Sequence, residues 1–555
     1  MTFSGRVTSG LVMGLSSALT LTSVYAIWKY SYHVPYWDMI PSLYSYFSES
    51  LLTFLFEPEN EHIHVTAKIF YILDILLARG SGRLVILSMV AVIGVLAWVM
   101  ACLAGDQWRH RLLFFCLALA ALTGTANYEN LLWPKQIHLY LSLMFFVLAA
   151  ALTISPLRSP VNQPLIIGAV LTSVLSFGYG LMAAVLVPVL CWLRTARPVL
   201  CLPLALGAAF SIFLWLALLH FGLPADDPTL SASLARPAML LAYLLHFLGA
   251  PWLPVAPALA DILAGLAILF SMVQWLAAIR AAPIAQADRL LGLALTAFGA
   301  GNALTTALTR AHFGAEQAAT SRYLAVVWMF WIGVALLLPP ARNKTVQAVL
   351  PAALLAVITA GQISSWPAMI DQANTVRWLE IGLLNRIQDR SLLLADYGNP
   401  AAIERTAEVF QELSRRRLAP FSGPETTWQG GLVSDIATIR QAPCPGYVDQ
   451  ARLEGSDHPF LRLSGWAYAG PPSRALLVAD GAGRVAGLGL AVGDRPDVTL
   501  AMPAIPAEGI GWAAAVAHPA PEMHYHAYAL TENGSGLEAC SFGDSFTLAT
   551  KGSTP

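Results

Sequence analysis

Charge is what this chain has least of. Lysine, arginine, aspartate and glutamate together make up 12% of its 555 residues, and the formal net charge is −1. No long basic or acidic run occurs, which removes support for nucleic-acid binding, since that needs a concentrated basic face. Cysteine is also scarce: there are six, and none stands in the CxxC spacing that holds zinc. Cys102, Cys116, Cys191 and Cys201 fall in or beside apolar runs, where a thiol acts as a small hydrophobe. Cys444 and Cys540 do not, and they bracket one polar segment.

Apolar sequence takes the place of charge. Hydrophobic residues reach 57% and the mean hydropathy is +0.61, far too apolar for an ordinary soluble protein. The composition describes a polytopic α-helical membrane protein with something attached. Apolar segments near the twenty residues that cross a bilayer fall at about 9–28, 84–104, 112–126, 136–154, 164–177, 179–193, 199–220, 256–279, 290–309, 323–340 and 345–363, about eleven in all. The first lacks a small-residue cleavage signature and other spans follow it, so it reads as an anchor. Residues 164–193 are broken at Gly178-Tyr179-Gly180 and could form two short helices or one kinked helix.

With Arg6 cytoplasmic, every inner loop is basic: Arg109 and Arg111, Arg158, Arg194 and Arg197, Arg280 and Arg289, Arg342 and Lys344. The outer loops are then 29–83, 127–135, 221–255 and 310–322, followed by everything after about Ser364. Residues His64 to Ala78 carry Lys68 and Asp74 and are too short to span, so they are expected as an amphipathic helix in the outer interface. Residues 373–418 have helical spacing and form a connector. From Gly446 short alternating runs broken by Gly, Pro and Asp-Gly predict a small β-sandwich. Cys444 and Cys540 could staple it by a disulfide in an oxidising periplasm, or stand as two free thiols.

Three constellations in the outer loops could carry chemistry. The first is Tyr36-Trp37-Asp38, followed by Glu59-Asn60-Glu61-His62-Ile63-His64. An acid packed between aromatics at a membrane surface can have its basicity tuned by partial burial and can deprotonate a hydroxyl. A solvated loop acid is the competing reading for Asp38, and no spacing near Glu61, His62 and His64 is diagnostic of a metal. The second runs from Asn127 through Tyr128, Glu129, Asn130, Trp133, Lys135 and Gln136 to His138. Substrate binding fits it, though interfacial anchoring by Tyr128, Trp133 and Lys135 explains half of it as well. The third runs from Arg310 through His312, Glu316 and Ser321 to Arg322 and Tyr323. Arginine on the face that the positive-inside rule disfavours suits a phosphate, because guanidinium gives it forked, charge-assisted hydrogen bonds. Snorkelling to lipid headgroups is the alternative.

Together these elements resemble the bacterial GT-C-type glycosyltransferases, multi-spanning enzymes that use polyprenyl-phosphate sugars. The resemblance covers about residues 1–365 and rests on the YWD-type acid, the E-x-E-H element, the N-Y-E-N…W…Q loop and the R-x-H…S-R-Y loop. It implies a GT-C-like transmembrane catalytic domain over 1–365 with its catalytic loop at 29–83; beyond it, the residue patterning gives a periplasmic helical connector over 366–443 and a periplasmic β-sandwich over 444–555. The resemblance implies that Asp38 is the general base and that Glu61 and Glu129 are secondary acids. Arg310 and Arg322 would neutralise the lipid phosphate, with Tyr323 bonding the same group. Tyr36, Trp37, His62, His64, Trp133, Gln136 and His312 are expected to contribute to substrate binding. The partners implied are a polyprenyl-phosphate-linked sugar donor, a glycan, lipid or protein acceptor, and the bilayer of the inner membrane. No cofactor is expected, and a divalent metal is left open.

Other classes make different demands. A transporter would place ionisable groups at mid-membrane, whereas these spans are nearly free of charge. A polymerase or ligase using a pyrophosphate-linked oligosaccharide would also want outer-face arginines. A non-catalytic receptor would be indifferent to Asp38.

Overall fold

The structure, a computed structural model, describes residues 3–59, 62–105, 107–155, 162–220, 233–338, 344–387, 389, 400–455, 458–470, 475–520, 523–534 and 536–547. The chain divides into two units. The first comprises Met1–Ser31, Glu49–Asp74 and Gly82–Ile370, and the second comprises Tyr32–Ser48, Ile75–Ser81 and Asp371–Pro555. The long first loop is therefore shared between them.

Among the described residues of the chain, eight helices are long and apolar enough to cross a membrane. They contain eight of the eleven expected spans: Ser9–Tyr30, Arg83–Leu103, Trp108–Leu132, Pro134–Ile154, Pro198–Leu219, Pro257–Ala281, Ala287–Phe313 and Val349–Leu384. The other three are the shorter helices Asn162–Ser176, Gly180–Thr195 and Ser321–Leu337. At about 1.5 Å per residue these fall short of a 30 Å hydrocarbon core. A further apolar helix, Pro237–Gly249, lies where only an outer loop was expected. It buries Tyr243, Phe247 and Leu248, so packing rather than length accounts for it.

The helices differ in what they face. Pro134–Ile154 and Ala287–Phe313 bury 72% of their apolar windows, against 22% for Pro198–Leu219 and Pro257–Ala281. The latter pair expose Leu206, Phe213, Ile262 and Leu269, a pattern that water would penalise and lipid would not. In the centre, Phe146 stacks on Phe298 with ring centroids 4.0 Å apart. Helices Ala287–Arg310 and Leu324–Leu337 approach so closely that a Cβ on Gly299 would stand 2.6 Å from Phe330 Cβ, and one on Gly333 2.7 Å from the Thr296 amide. Small residues at such crossings replace the hydrophobic drive that is missing in lipid.

The helix Val65–Ala78 differs from the expected amphipathic arrangement in which face is wet. Lys68 and Asp74 are buried, while Ile69, Leu73, Leu76 and Leu77 are exposed. The charges turn inward because acceptors and donors wait there. Asp74 accepts from the amides of Gly82 at 2.7 Å and Leu84 at 3.0 Å, capping the orphan N–H groups that open the Arg83–Leu103 helix.

Among the described residues of the second unit, eight strands form one continuous sheet in the order β1-β8-β7-β4-β5-β6-β3-β2. The strands are β1 (Thr438–Ile439), β2 (Gly446–Glu454), β3 (Phe460–Ala467), β4 (Ala475–Asp480), β5 (Val485–Gly493), β6 (Gly511–Ala517), β7 (His524–Asn533) and β8 (Gly536–Thr547). All neighbours are antiparallel except β1 and β8. The expected C-terminal β domain is present, but hydrogen bonds unite its strands in one sheet. The sheet curls enough that Gly446 of β2 lies against Phe542 of β8. Leu476 and Val478 of β4 enter one core with Leu461, Trp512 and Phe542, while Ala475, Leu477 and Ala479 enter another with Trp428 and Val433. Burial on both faces explains why β4 reads as a continuous apolar run. Cys444 and Cys540 form a disulfide that spans 96 residues with a Cα–Cα distance of 5.7 Å.

Candidate functional site

Two polar centres form within the first unit. The first is built on Glu59. Its Oε1 lies 2.9 Å from Lys68 Nζ and its Oε2 lies 2.5 Å from Lys135 Nζ, with side-chain exposures of 0% for Lys68 and 3% for Lys135. Lys68 also donates to the carbonyls of Phe54 and Glu57, both at 2.8 Å, so its ammonium has three acceptors. Glu59 is held in place by backbone hydrogen bonds exchanged with His62. The ring of His64 stacks on His138 at 4.4 Å, and its Nδ1 lies 3.5 Å from Glu59 Oε2. Phe177 completes the group, with its centroid 4.2 Å from His62 and 4.5 Å from His138.

The electrostatics follow from this packing. Burial alone would raise the Glu59 carboxyl, but Lys135, His64 and Lys68 outweigh it and hold the group well below the usual carboxylate range. Burial also lowers the Lys68 ammonium, with Glu59 pulling it partly back, and it lowers the His64 imidazole. A carboxylate whose ionised form is so favoured is a poor proton acceptor. This centre is a clamp between the first loop and the turn at Pro134–Gln136.

The second centre joins two constellations that lie 192 residues apart. Glu129 Oε2 accepts from Ser321 Oγ at 2.7 Å and from the Arg322 amide at 3.1 Å, and Oε1 accepts from the Arg322 guanidinium at 3.1 Å. Asn130 Nδ2 donates to the carbonyls of Ser321 at 3.3 Å and Arg322 at 2.9 Å. Tyr323 packs on Phe247 at 5.0 Å, and Tyr243 donates to Gln317 Oε1 at 2.7 Å. Tyr179 is buried, and Thr306, Tyr323, Arg310 and Arg322 all lie close enough to act on its hydroxyl. Both guanidinium groups therefore act on one phenol. Phe177, 4.7 Å from Tyr179, touches both centres. Among the described residues Arg310 is half-buried and has no ion-pair partner.

The remaining expected site residues fall as follows. Tyr36, Trp37 and Asp38 belong to the second unit, and Arg310 and Arg322 to the first. There Tyr36 is buried, stacks on Trp37 at 5.3 Å and accepts from Gln372 at 3.0 Å. Trp37 has φ +46, a left-handed backbone that a bulky residue adopts only under constraint, and Asp38 beside it is half-buried. Glu61 lies outside the described residues. Gln136 is half-buried, and the His312 ring lies tilted against Phe313 with centroids 3.9 Å apart. Trp133 and Lys135 are 6% and 2% exposed, which weighs against the anchoring reading for these two: both are packed inside the first unit, Lys135 turned inward to Glu59.

The sequence did not single out Phe177 or Tyr243, and it showed Lys68, His138, Tyr179 and Ser321 without giving any of them a role of its own in a site. Two carried a signal: Lys68 is a lone cation in an apolar helix, and Tyr179 sits between two glycines. Gly178 is needed where it stands, since a Cβ there would meet His62 Nδ1 at 2.7 Å. Among the described residues no group of three or more His, Cys, Asp or Glu is arranged to hold a metal ion. No family model, curated protein or solved structure matches the chain.

Proposed function

We propose that this chain is an inverting glycosyltransferase of the GT-C type, which moves a sugar from a polyprenyl-phosphate donor to a surface glycan or another periplasmic acceptor. In this reading it crosses the inner membrane about eleven times, the three shorter helices included, and works on the periplasmic face, where its β domain also lies.

The observation that carries the reading is Arg310. A half-buried guanidinium with no carboxylate partner among the described residues needs an anion from elsewhere. Arg322 differs in that Glu129 already orients and partly neutralises it. A phosphate ester leaves with the bonding electron pair as its link to the anomeric carbon breaks. Arg310, with Arg322 and the Tyr323 hydroxyl, supplies the charge and donors that stabilise it. The acceptor hydroxyl forms the new bond and gives its proton to a general base, the role expected of Asp38 from the sequence. One displacement inverts the anomeric centre.

The test is glycan and lipid analysis of cells that carry Arg310→Ala, Arg310→Lys or Asp38→Asn. Arg310→Ala and Asp38→Asn are expected to lower transfer by about 10²- to 10³-fold, with partial retention by Arg310→Lys, and to accumulate a lipid-linked monosaccharide phosphate. An accumulated pyrophosphate-linked oligosaccharide would instead assign a polymerase or ligase. Unchanged glycans in Asp38→Asn would leave a receptor.

A further inference from the structure

A cavity of about 300 Å³ opens beside the Glu129–Arg322 pair, within the first unit. Its polar lining is Tyr128, Glu129, Thr320, Ser321, Ser364 and Ser365. Its apolar lining includes Leu253, Leu324, Trp328, Val357 and Ile358. No lysine, arginine or histidine is in its wall.

The hydrogen-bonding inventory narrows what fits. A carboxylate offers about four acceptor sites. Glu129 Oε2 takes two donors and Oε1 takes one, which leaves one site on Oε1. Thr320 Oγ1 is buried without a hydrogen-bond partner. Ser364 and Ser365 donate to carbonyls of their own helix, and their oxygens keep acceptor capacity. The wall therefore asks for groups that both donate and accept. A phosphate anion would face the Glu129 carboxylate with no cation in the wall to offset it. A cation would find that carboxylate already paired with Arg322. A bare hydrocarbon chain would leave the Glu129 and Thr320 oxygens unmet, at the cost of their desolvation.

The geometry points to a binding subsite for a neutral, hydroxyl-rich ring, a pyranose with its hydroxyls toward Glu129 and Thr320 and its less polar face toward Trp328. The Arg310 side would then take the anionic part of a substrate and this cavity the neutral saccharide. That division of labour rests on the transferase reading, but the cavity's preference for a sugar does not.

Gly361 gives a clean handle, because it lines the cavity and a Cβ there would meet only Ala126 Cβ, at an ordinary 3.5 Å. It sits inside the Lys344–Leu384 helix, so Gly361→Ala favours the fold while it narrows the space, and Gly361→Leu plugs it. Saturation-transfer NMR on the full chain in detergent would compare methyl glucoside, methyl galactoside and methyl mannoside with inorganic phosphate and farnesol. At least one neutral glycoside is expected to bind, weakened in Gly361→Ala and reduced roughly tenfold or more in Gly361→Leu, whose thermal midpoint stays at the wild-type value. Binding of phosphate or farnesol without any glycoside, or glycoside binding that survives the plug, overturns the subsite. If glycosides bind, the plug abolishes their binding, and surface glycans are nonetheless normal in the plugged strain, the subsite stands and the transferase reading falls. If glycan transfer depends on Arg310 while no glycoside binds, the subsite alone falls.

Discussion

Replacing Glu59 by glutamine converts a buried cluster of charge +1, two ammonium groups against one carboxylate, into one of +2 with nothing anionic between them. Removing one partner of a buried pair costs about 3–5 kcal/mol, because the charge left behind stays desolvated. Lys68 keeps two carbonyl acceptors, which places Glu59→Gln toward the lower end of that range. Lys135→Met acts in the opposite sense: it leaves Glu59 and Lys68 as a neutral pair, so it is expected to cost about 1–2 kcal/mol. The double variant Glu59→Gln/Lys135→Met then recovers at least about 1 kcal/mol relative to the sum of the singles. Denaturation midpoints of the purified protein in one detergent measure all three. The pH dependence follows the same logic. Glu59 is held below its ordinary value, so its contribution is complete above about pH 4.3 and is lost as pH falls toward the depressed value. In Glu59→Gln this part of the acid sensitivity disappears. A Lys135→Met variant less stable than Glu59→Gln, or three variants within about 0.5 kcal/mol of wild type, would refute the charge argument.

Cys444→Ser removes a cross-link closing 96 residues and is expected to cost about 4–5 kcal/mol, seen as a lowered midpoint for unfolding of the β domain that reductant reproduces in wild type. Gly178→Ala forces the ring of His62 to move by several tenths of an ångström, since 2.7 Å is too close for carbon and nitrogen. Ring-proton NMR should show altered His62, and proteolysis of the first loop should quicken. An unshifted His62 spectrum would mean that the contact relaxes without cost.

The helices were legible because each needs only local information: an apolar run, its length and its flanks. The same holds for the β domain, whose turns and alternation are local, and for Cys444 and Cys540, which stand outside the apolar runs of the sequence. The two polar centres were legible only in part. Glu129 and Arg322 drew notice as charges in an uncharged chain, but nothing periodic links residues 193 apart, and the bonds from Ser321 and Asn130 that join their loops come only with the fold. Lys135 shows the opposite failure. Its place at the end of an apolar run suits a headgroup anchor, and only Glu59, 76 residues earlier, turns it inward. The single sheet was hidden for a related reason: alternation marks strands without saying whether they pair in one layer or two. The inward face of Val65–Ala78 escaped because amphipathic spacing does not reveal which side is wet.

The order of the β sheet sets the timing of its assembly. The opening strand β1 has its partner in the closing strand β8, and the cysteine at 444 waits for the one at 540. A ribosome that has released only the first six strands has made a domain whose β4 still lacks a neighbour on one side and whose thiol at 444 is unprotected. Such a fragment is a target for chaperones and for mispairing until the final strand emerges. Nascent chains stalled before and after residue 540 should accordingly differ abruptly, not gradually, in protease resistance.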